Sequence, residues 1–287
     1  MKLSGLERFG IISDGDFDIT KEESKKENRP QQKVVKKPEE HKPEEKDFLL
    51  EKVIECPICA QKFHTLVMKS GKAKRLEPDA DLRPNFEGID SVKYDVAVCP
   101  HCGYAALNKD FMLVSDTQAK WIKEALKKFR PTEDKSAETY SYDRAVDRYK
   151  LALVNTIAKH GKMSEKAYIC LKIAWLRRAE YKEIKGVSPE EQNKRWTILE
   201  EYNGFYKQAY EGFTKAISTE NAPYEGMDDS TVEFMLAHMA MYFKDYSTAS
   251  KLVAKLLTAP ATPRKVKDKC VDLKDEILVE IKKQKGN

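Results

Sequence analysis

The sequence predicts an α+β chain that is predominantly α: a small cysteine-bearing β region followed by a longer helical array. Three observations carry this. Two cysteine pairs, Cys56-Pro57-Ile58-Cys59 and Cys99-Pro100-His101-Cys102, lie in one short stretch rich in turn residues. Tyr94-Asp95-Val96-Ala97-Val98 alternates in polarity and runs straight into Cys99, as a strand feeding a turn does. After Leu113 the chain has helical periodicity broken by recognisable start and stop signals.

Residues 1–19 form a short N-terminal segment whose apolar patch includes Leu6, Phe9, Ile11 and Ile12, and which is read as a frayed terminus or a small docking segment. Residues 20–47 are Lys, Glu, Pro and Gln with almost nothing to bury, the composition of a disordered, charge-balanced linker. The β region spans 48–113. Between its two cysteine pairs lie 39 residues, more than a simple ribbon needs, so an extra hairpin and a surface loop are expected around Pro78, Pro84 and Gly88.

The helical region spans 114–287. Ser115 with Gln118 makes a capping box that opens a helix to about Phe129. A second helix covers Tyr142 to Lys159 and stops near Gly161. Ser164 is the expected cap of a third, to about Ile184. Ser188-Pro189-Glu190-Glu191 joins a cap, a first-turn proline and a capping-box glutamate, and opens a long helix toward Ser218. Ser230 and Glu233 are expected to cap the next, to about Phe243, and Thr262-Pro263 opens the last, to about Lys283. The run Leu236-Ala237, Asp245-Tyr246, Ala249, Val253, Leu256, Pro260 is like one tetratricopeptide repeat, with small residues where paired helices touch. No strict 34-residue period runs through the chain, and an ordinary helical bundle is the competing description.

Two Cys-x-x-Cys pairs supply four thiolates, the closed tetrahedral shell of a structural zinc site. Cys56, Cys59, Cys99 and Cys102 are therefore the expected ligands of one Zn2+, and the β region is expected to be zinc-ribbon-like. A rubredoxin-like iron centre uses the same ligands and would make the chain an electron carrier. Such proteins are compact, and the long insert and large helical partner speak against that reading. Thiol redox chemistry at Cys-Pro-His-Cys needs a strand–motif–helix context, and Gly103 directly after the pair opposes a continuing helix. Cys170 and Cys270 have no cysteine neighbour at ligand spacing and are read as ordinary helical cysteines.

The motif combination Cys56-Pro57-Ile58-Cys59, Phe63 four residues on, and Cys99-Pro100-His101-Cys102-Gly103-Tyr104-Ala105-Ala106 resembles the bacterial domain-of-unknown-function family 2225. Tyr149-Lys150-Leu151-Ala152-Leu153, Trp175 and the opening Gly5-Leu6-Glu7-Arg8-Phe9-Gly10 are similar to it as well. The resemblance covers most of the chain. It implies a zinc-ribbon-like region joined to repeat-like helices, and no activity. Ala60 departs from the glycine often found after the first pair.

No nucleophile elbow, phosphate-binding loop, dinucleotide fingerprint or paired-histidine motif is present, so no catalytic residues are assigned. The chain is expected to be a non-catalytic adaptor, with the helical region binding a protein or peptide partner. The alternative is a nucleic-acid-associated zinc ribbon, with Lys62, Lys69, Lys72, Lys74 and Arg75 contacting phosphates. The charge is spread evenly: 11 basic and 12 acidic residues in 1–47, 15 and 13 in 48–136, 26 and 22 in 137–287. That evenness disfavours nucleic acid, whose binders concentrate Lys and Arg on one face. No run of about 18 apolar residues is present and the N-terminus lacks a signal-peptide core, so a cytoplasmic location without a membrane span is expected. Limited trypsin digestion is expected to cut first within residues 20–47 and leave a core that starts near Phe48; protection of those lysines would show that the segment is folded.

Overall fold

The computed structural model describes residues 43–127, 129, 138–186 and 188–285. The expected N-terminal segment, and most of the expected linker, lie outside the described residues. Within the described chain a 3-10 turn at Glu45–Phe48 comes first. Lys93 pairs with its Glu45 at 2.6 Å, so residues that composition assigns to the linker are engaged by the β region.

β1 (Leu49–Glu55) pairs antiparallel with β2 (Lys62–Met68), from Leu49 opposite Met68 to Glu55 opposite Lys62. β2 alternates at its start, with Phe63 and Thr65 buried and Lys62 and His64 exposed. β3 (Arg75–Leu76) and β4 (Asn85–Phe86) form the small extra hairpin expected in the insert. β5 (Val96–Val98) and β6 (Ala105–Leu107) form a third pair, and every residue of β6 is buried.

The helices are α1 (Asp116–Ala125), α2 (Tyr142–Ala158), α3 (Met163–Glu183), α4 (Pro189–Thr219), α5 (Asp229–Tyr242), α6 (Tyr246–Thr258) and α7 (Arg264–Lys285). The capping boxes at Ser115/Gln118 and Ser188/Glu191 form as the sequence indicates. Elsewhere distant residues decide. Ser164 does not cap α3. Its hydroxyl donates to Glu220 Oε2 at 2.6 Å, and Glu220 Oε1 accepts from the amides of Met163 (2.6 Å) and Ser164 (3.2 Å). A carboxylate at the end of α4 thus satisfies the open N–H groups at the start of α3. Ser230 does not cap α5 either; Asp228 does, through the Thr231 amide at 2.7 Å, and Glu233 pairs with Lys255 of α6 instead. α1 stops at Ala125, short of Phe129, whose ring lies over Gly103.

α2 joins the β region to the helices. Its Ala145, Val146, Tyr149 and Ala152 share one core with Val92, Val96, Ala105 and Leu107, and with Ile169, Leu171, Ile173 and Leu176 of α3. Tyr149 Oη donates to the Val92 carbonyl at 2.9 Å. Arg148 Nη2 donates to the Val96 carbonyl (2.9 Å) and to Thr65 Oγ1 (3.3 Å), and so touches β5 and β2 together.

α3 is the central helix and is buried along most of its length and around most of its circumference. Such a helix can carry charge only if each charge meets a partner. Lys172 meets Asp95 at 2.5 Å, and Arg177 meets Asp143, Glu180 and Glu201. Arg178 meets Asp79 (2.7 Å) and Asp81 (2.6 Å). The last pair buries the tip of the expected surface loop. Asp81 is fully buried, and it also accepts from Trp175 Nε1 at 2.8 Å, which draws the insert onto α3.

α3 and α4 approach so closely that a Cβ on Gly212 would meet Ala167 Cβ at 2.8 Å. α5 and α6 are joined by the short turn at Phe243–Asp245, and Ala237 and Ala249 are buried in the cluster they share with α7. Glu220→Ala should cost about 1–3 kcal/mol, more than the roughly 1 kcal/mol of Ser188→Ala, because it strands amides in a partly buried joint. Urea unfolding of the two variants checks the order, and equal midpoints would refute it.

Candidate metal centre

Each cysteine pair is the turn of a hairpin. The first occupies the turn between β1 and β2, the second the turn between β5 and β6. The two turns are built alike. The Cys56 amide donates to the Gln61 carbonyl (3.0 Å) and the Ala60 amide to the Cys56 carbonyl (2.8 Å). Correspondingly, the Cys99 amide donates to the Tyr104 carbonyl (2.8 Å) and the Gly103 amide to the Cys99 carbonyl (3.0 Å). The residue after each pair turns left-handed: Ala60 has φ 58° and Gly103 has φ 80°. The glycine meets that demand freely, whereas the alanine holds it against its own Cβ. Gly103 has a second duty. A Cβ there would sit 2.6 Å from the Phe129 ring.

The turns bring four sulfurs together, all within 4.8 Å of one another. Cys56 Sγ lies 3.7 Å from Cys102 Sγ, and Cys59 Sγ lies 3.6 Å from Cys99 Sγ. A tetrahedron with metal–sulfur bonds of about 2.3 Å has edges of about 3.8 Å, so the donors fit one tetrathiolate ion. Among the described residues no histidine or carboxylate joins this group.

The local hydrogen bonds treat the sulfurs unequally. The Ile58 amide points at Cys56 Sγ at 3.4 Å, the kind of N–H···S contact that orients a ligand. Hydrogen bonds from Cys102 and Cys56 hold the Cys99 sulfur well below the ordinary thiol range. Cys102, whose proton is shared toward Cys56 and Cys99, is pushed up. Thiolates gathered this closely repel one another, and a divalent cation would relieve that repulsion.

Packing holds the turns in place. Cys56 and Cys99 are buried with Ile58, Phe63, Ala97, Tyr104, Phe111 and Ile122, the last contributed by α1. Tyr104 Oη donates to the Phe111 carbonyl at 3.0 Å, and Asn155 Nδ2 of α2 donates to the Gly103 carbonyl at 3.1 Å. Sequence reading did not single out Asn155. Its signal was a polar residue continuing the three-residue spacing of Tyr149 and Ala152 on the apolar face of α2.

The other candidates stay apart from the sulfurs. Cys170 and Cys270 are buried on α3 and α7, and burial pushes their thiols up to about 12 and about 11. His101 is exposed, and His64 sits 3.2 Å from Glu51 across the β1–β2 pair. His160 packs edge-on against Trp121, and His238 contacts Tyr206 Oη at 3.2 Å. Of the basic residues, Lys62 begins β2, while Lys69, Lys72, Lys74 and Arg75 follow its far end, about 20 Å away along an extended strand.

Two hairpin knuckles on a helical body gather four cysteines in positions that could hold one metal ion. The chain belongs to the family described as uncharacterized protein conserved in bacteria (DUF2225), which matches residues 49–277. No curated protein and no solved structure matches it. Ala60→Gly should be neutral or stabilising by up to about 1 kcal/mol, because it removes left-handed strain. Gly103→Ala should destabilise, since both φ and the Phe129 ring oppose a Cβ. Chelator-challenge midpoints of the two variants read this directly, and equal effects would refute the asymmetry.

Proposed function

We propose that the protein is a non-catalytic adaptor of the cytoplasm, in which zinc is a structural staple and the helical region holds a protein or peptide partner. The observation that carries this reading is the closed donor set. Four thiolates complete a tetrahedral shell and leave no position for substrate or water. The site's placement under α1 and α2 supports a staple, since a bound ion would tie the two hairpins to each other and to the helices packed on them.

The interaction half rests on the helices. α3 with α4, and α5 with α6, form consecutive helix pairs closed by α7, with Ala237 and Ala249 at the α5–α6 contact, as in repeat-like arrays that display a binding surface. No described helix is long and apolar enough to cross a membrane. A reducing compartment, where thiols stay available for metal, suits the four cysteines.

Elemental analysis of the purified protein should find one zinc per chain, and iron with a visible charge-transfer band would replace the staple by an electron carrier. Cys99→Ser should release the metal and unfold the hairpins together, because binding energy here is folding energy. Full-length protein should capture a partner from its native cells in a form that survives nuclease. Loss of capture with nuclease, or steeply with salt, would favour nucleic acid instead.

A further inference from the structure

The loop Glu77-Pro78-Asp79-Ala80-Asp81-Leu82-Arg83-Pro84 leaves the β region and crosses the helical array. It turns tightly on itself: the Leu82 amide donates to the Asp79 carbonyl (2.8 Å) and the Asp79 amide to the Arg83 carbonyl (3.0 Å). At its tip Asp81 is fully buried. Its carboxylate accepts from Trp175 Nε1 at 2.8 Å and takes both terminal nitrogens of Arg178, at 2.6 and 2.8 Å. Beside it, Leu82 packs against the core of α3 and α4 and also against the cluster of α5, α6 and α7. At the loop's start, Glu77 reaches Lys269 of α7 at 3.7 Å.

We propose that Trp175 and Arg178 form a carboxylate-recognition pocket for an acidic peptide with leucine next to the acid, and that the Asp79–Arg83 loop fills it as a built-in competitor. This deepens the adaptor reading and rests on it. Two observations separate the loop from ordinary buried structure. Leu82 has φ 67°, a left-handed conformation that a bulky residue adopts only when its surroundings impose it. The loop also lies outside both cysteine hairpins and contributes none of the four sulfur donors. A free peptide with the sequence Asp-Leu can offer the same bidentate carboxylate and the same leucine without that strain. The paired indole N–H and guanidinium fork select a carboxylate by geometry as well as by charge.

The test uses the full-length protein and, as probe, a fluorescent synthetic peptide of residues 77–84. In the wild type the tethered loop competes at an effective concentration in the mM range, so the added peptide binds poorly. Asp81→Ala frees Trp175 Nε1 and one terminal nitrogen of Arg178, while Asp79 keeps the other, and should bind the peptide at least about tenfold more tightly. That gain should vanish in Asp81→Ala/Arg178→Ala, and with a probe carrying Asp81→Asn. An Asp81→Ala protein that keeps its metal and its melting transition but gains no affinity overturns the proposal. Should Asp81→Ala fail to fold, hydrogen exchange of the wild type decides. A Leu82 amide exchanging about a hundredfold faster than interior amides of α3 supports a displaceable plug, and exchange together with them overturns it. Cellular partner capture is a separate readout. Peptide binding without capture sinks the adaptor and spares the pocket; capture without peptide binding sinks the pocket alone.

Discussion

The geometry of the four sulfurs is the constraint on which the β region rests. An isolated two-stranded hairpin is marginal in water, and β5–β6 has only three residues in each strand. Because each cysteine pair is itself a hairpin turn, bringing the sulfurs together sets the two hairpins tip to tip. A cation shared by those turns would cross-link the strands at the points where their direction reverses. α2 then takes hold of both hairpins at once, with Arg148 on Val96 and Thr65 and with Asn155 on the Gly103 carbonyl. Disordering the turns would remove the seat of α2, and through it one wall of α3.

α3 shows the complementary device. A helix enclosed by α2, α4 and the insert would ordinarily be apolar all round. This one carries Lys172, Arg177 and Arg178, and each cation reaches a carboxylate on a different part of the fold. Such pairs add little net stability once desolvation is counted, but an unpaired one would be very costly. Their effect is to specify which element lies where. Asp95 positions the strand end, Asp143 and Glu201 position α2 and α4, and Asp79 with Asp81 position the insert.

The alanine and glycine that follow the two cysteine pairs show how a local rule and a packing rule separate. Both positions need a left-handed backbone, and Ala60 meets that need at some cost. Only at Gly103 does a neighbouring ring, Phe129, also claim the space of a side chain. The backbone demand is readable from motif spacing. The ring is not, because Phe129 comes to Gly103 from beyond the end of α1.

By itself the sequence determined the predominantly α character, the four candidate ligands, and the helix starts at Ser115 and Ser188. Each depends on residues within a few positions of one another, or on a motif whose spacing carries its own geometry. The tertiary structure decided what distance along the chain conceals. It replaced Ser164 by Glu220 at the start of α3, a partner 56 residues away that no local pattern could name. It drew the insert from the expected surface onto Trp175 and Arg178, since a polar, proline-containing stretch looks solvated until its buried partners are known. It also gave Asn155 its place beside the second cysteine turn. A lone asparagine on an apolar face states that a partner exists, and only the packed fold says which carbonyl it is.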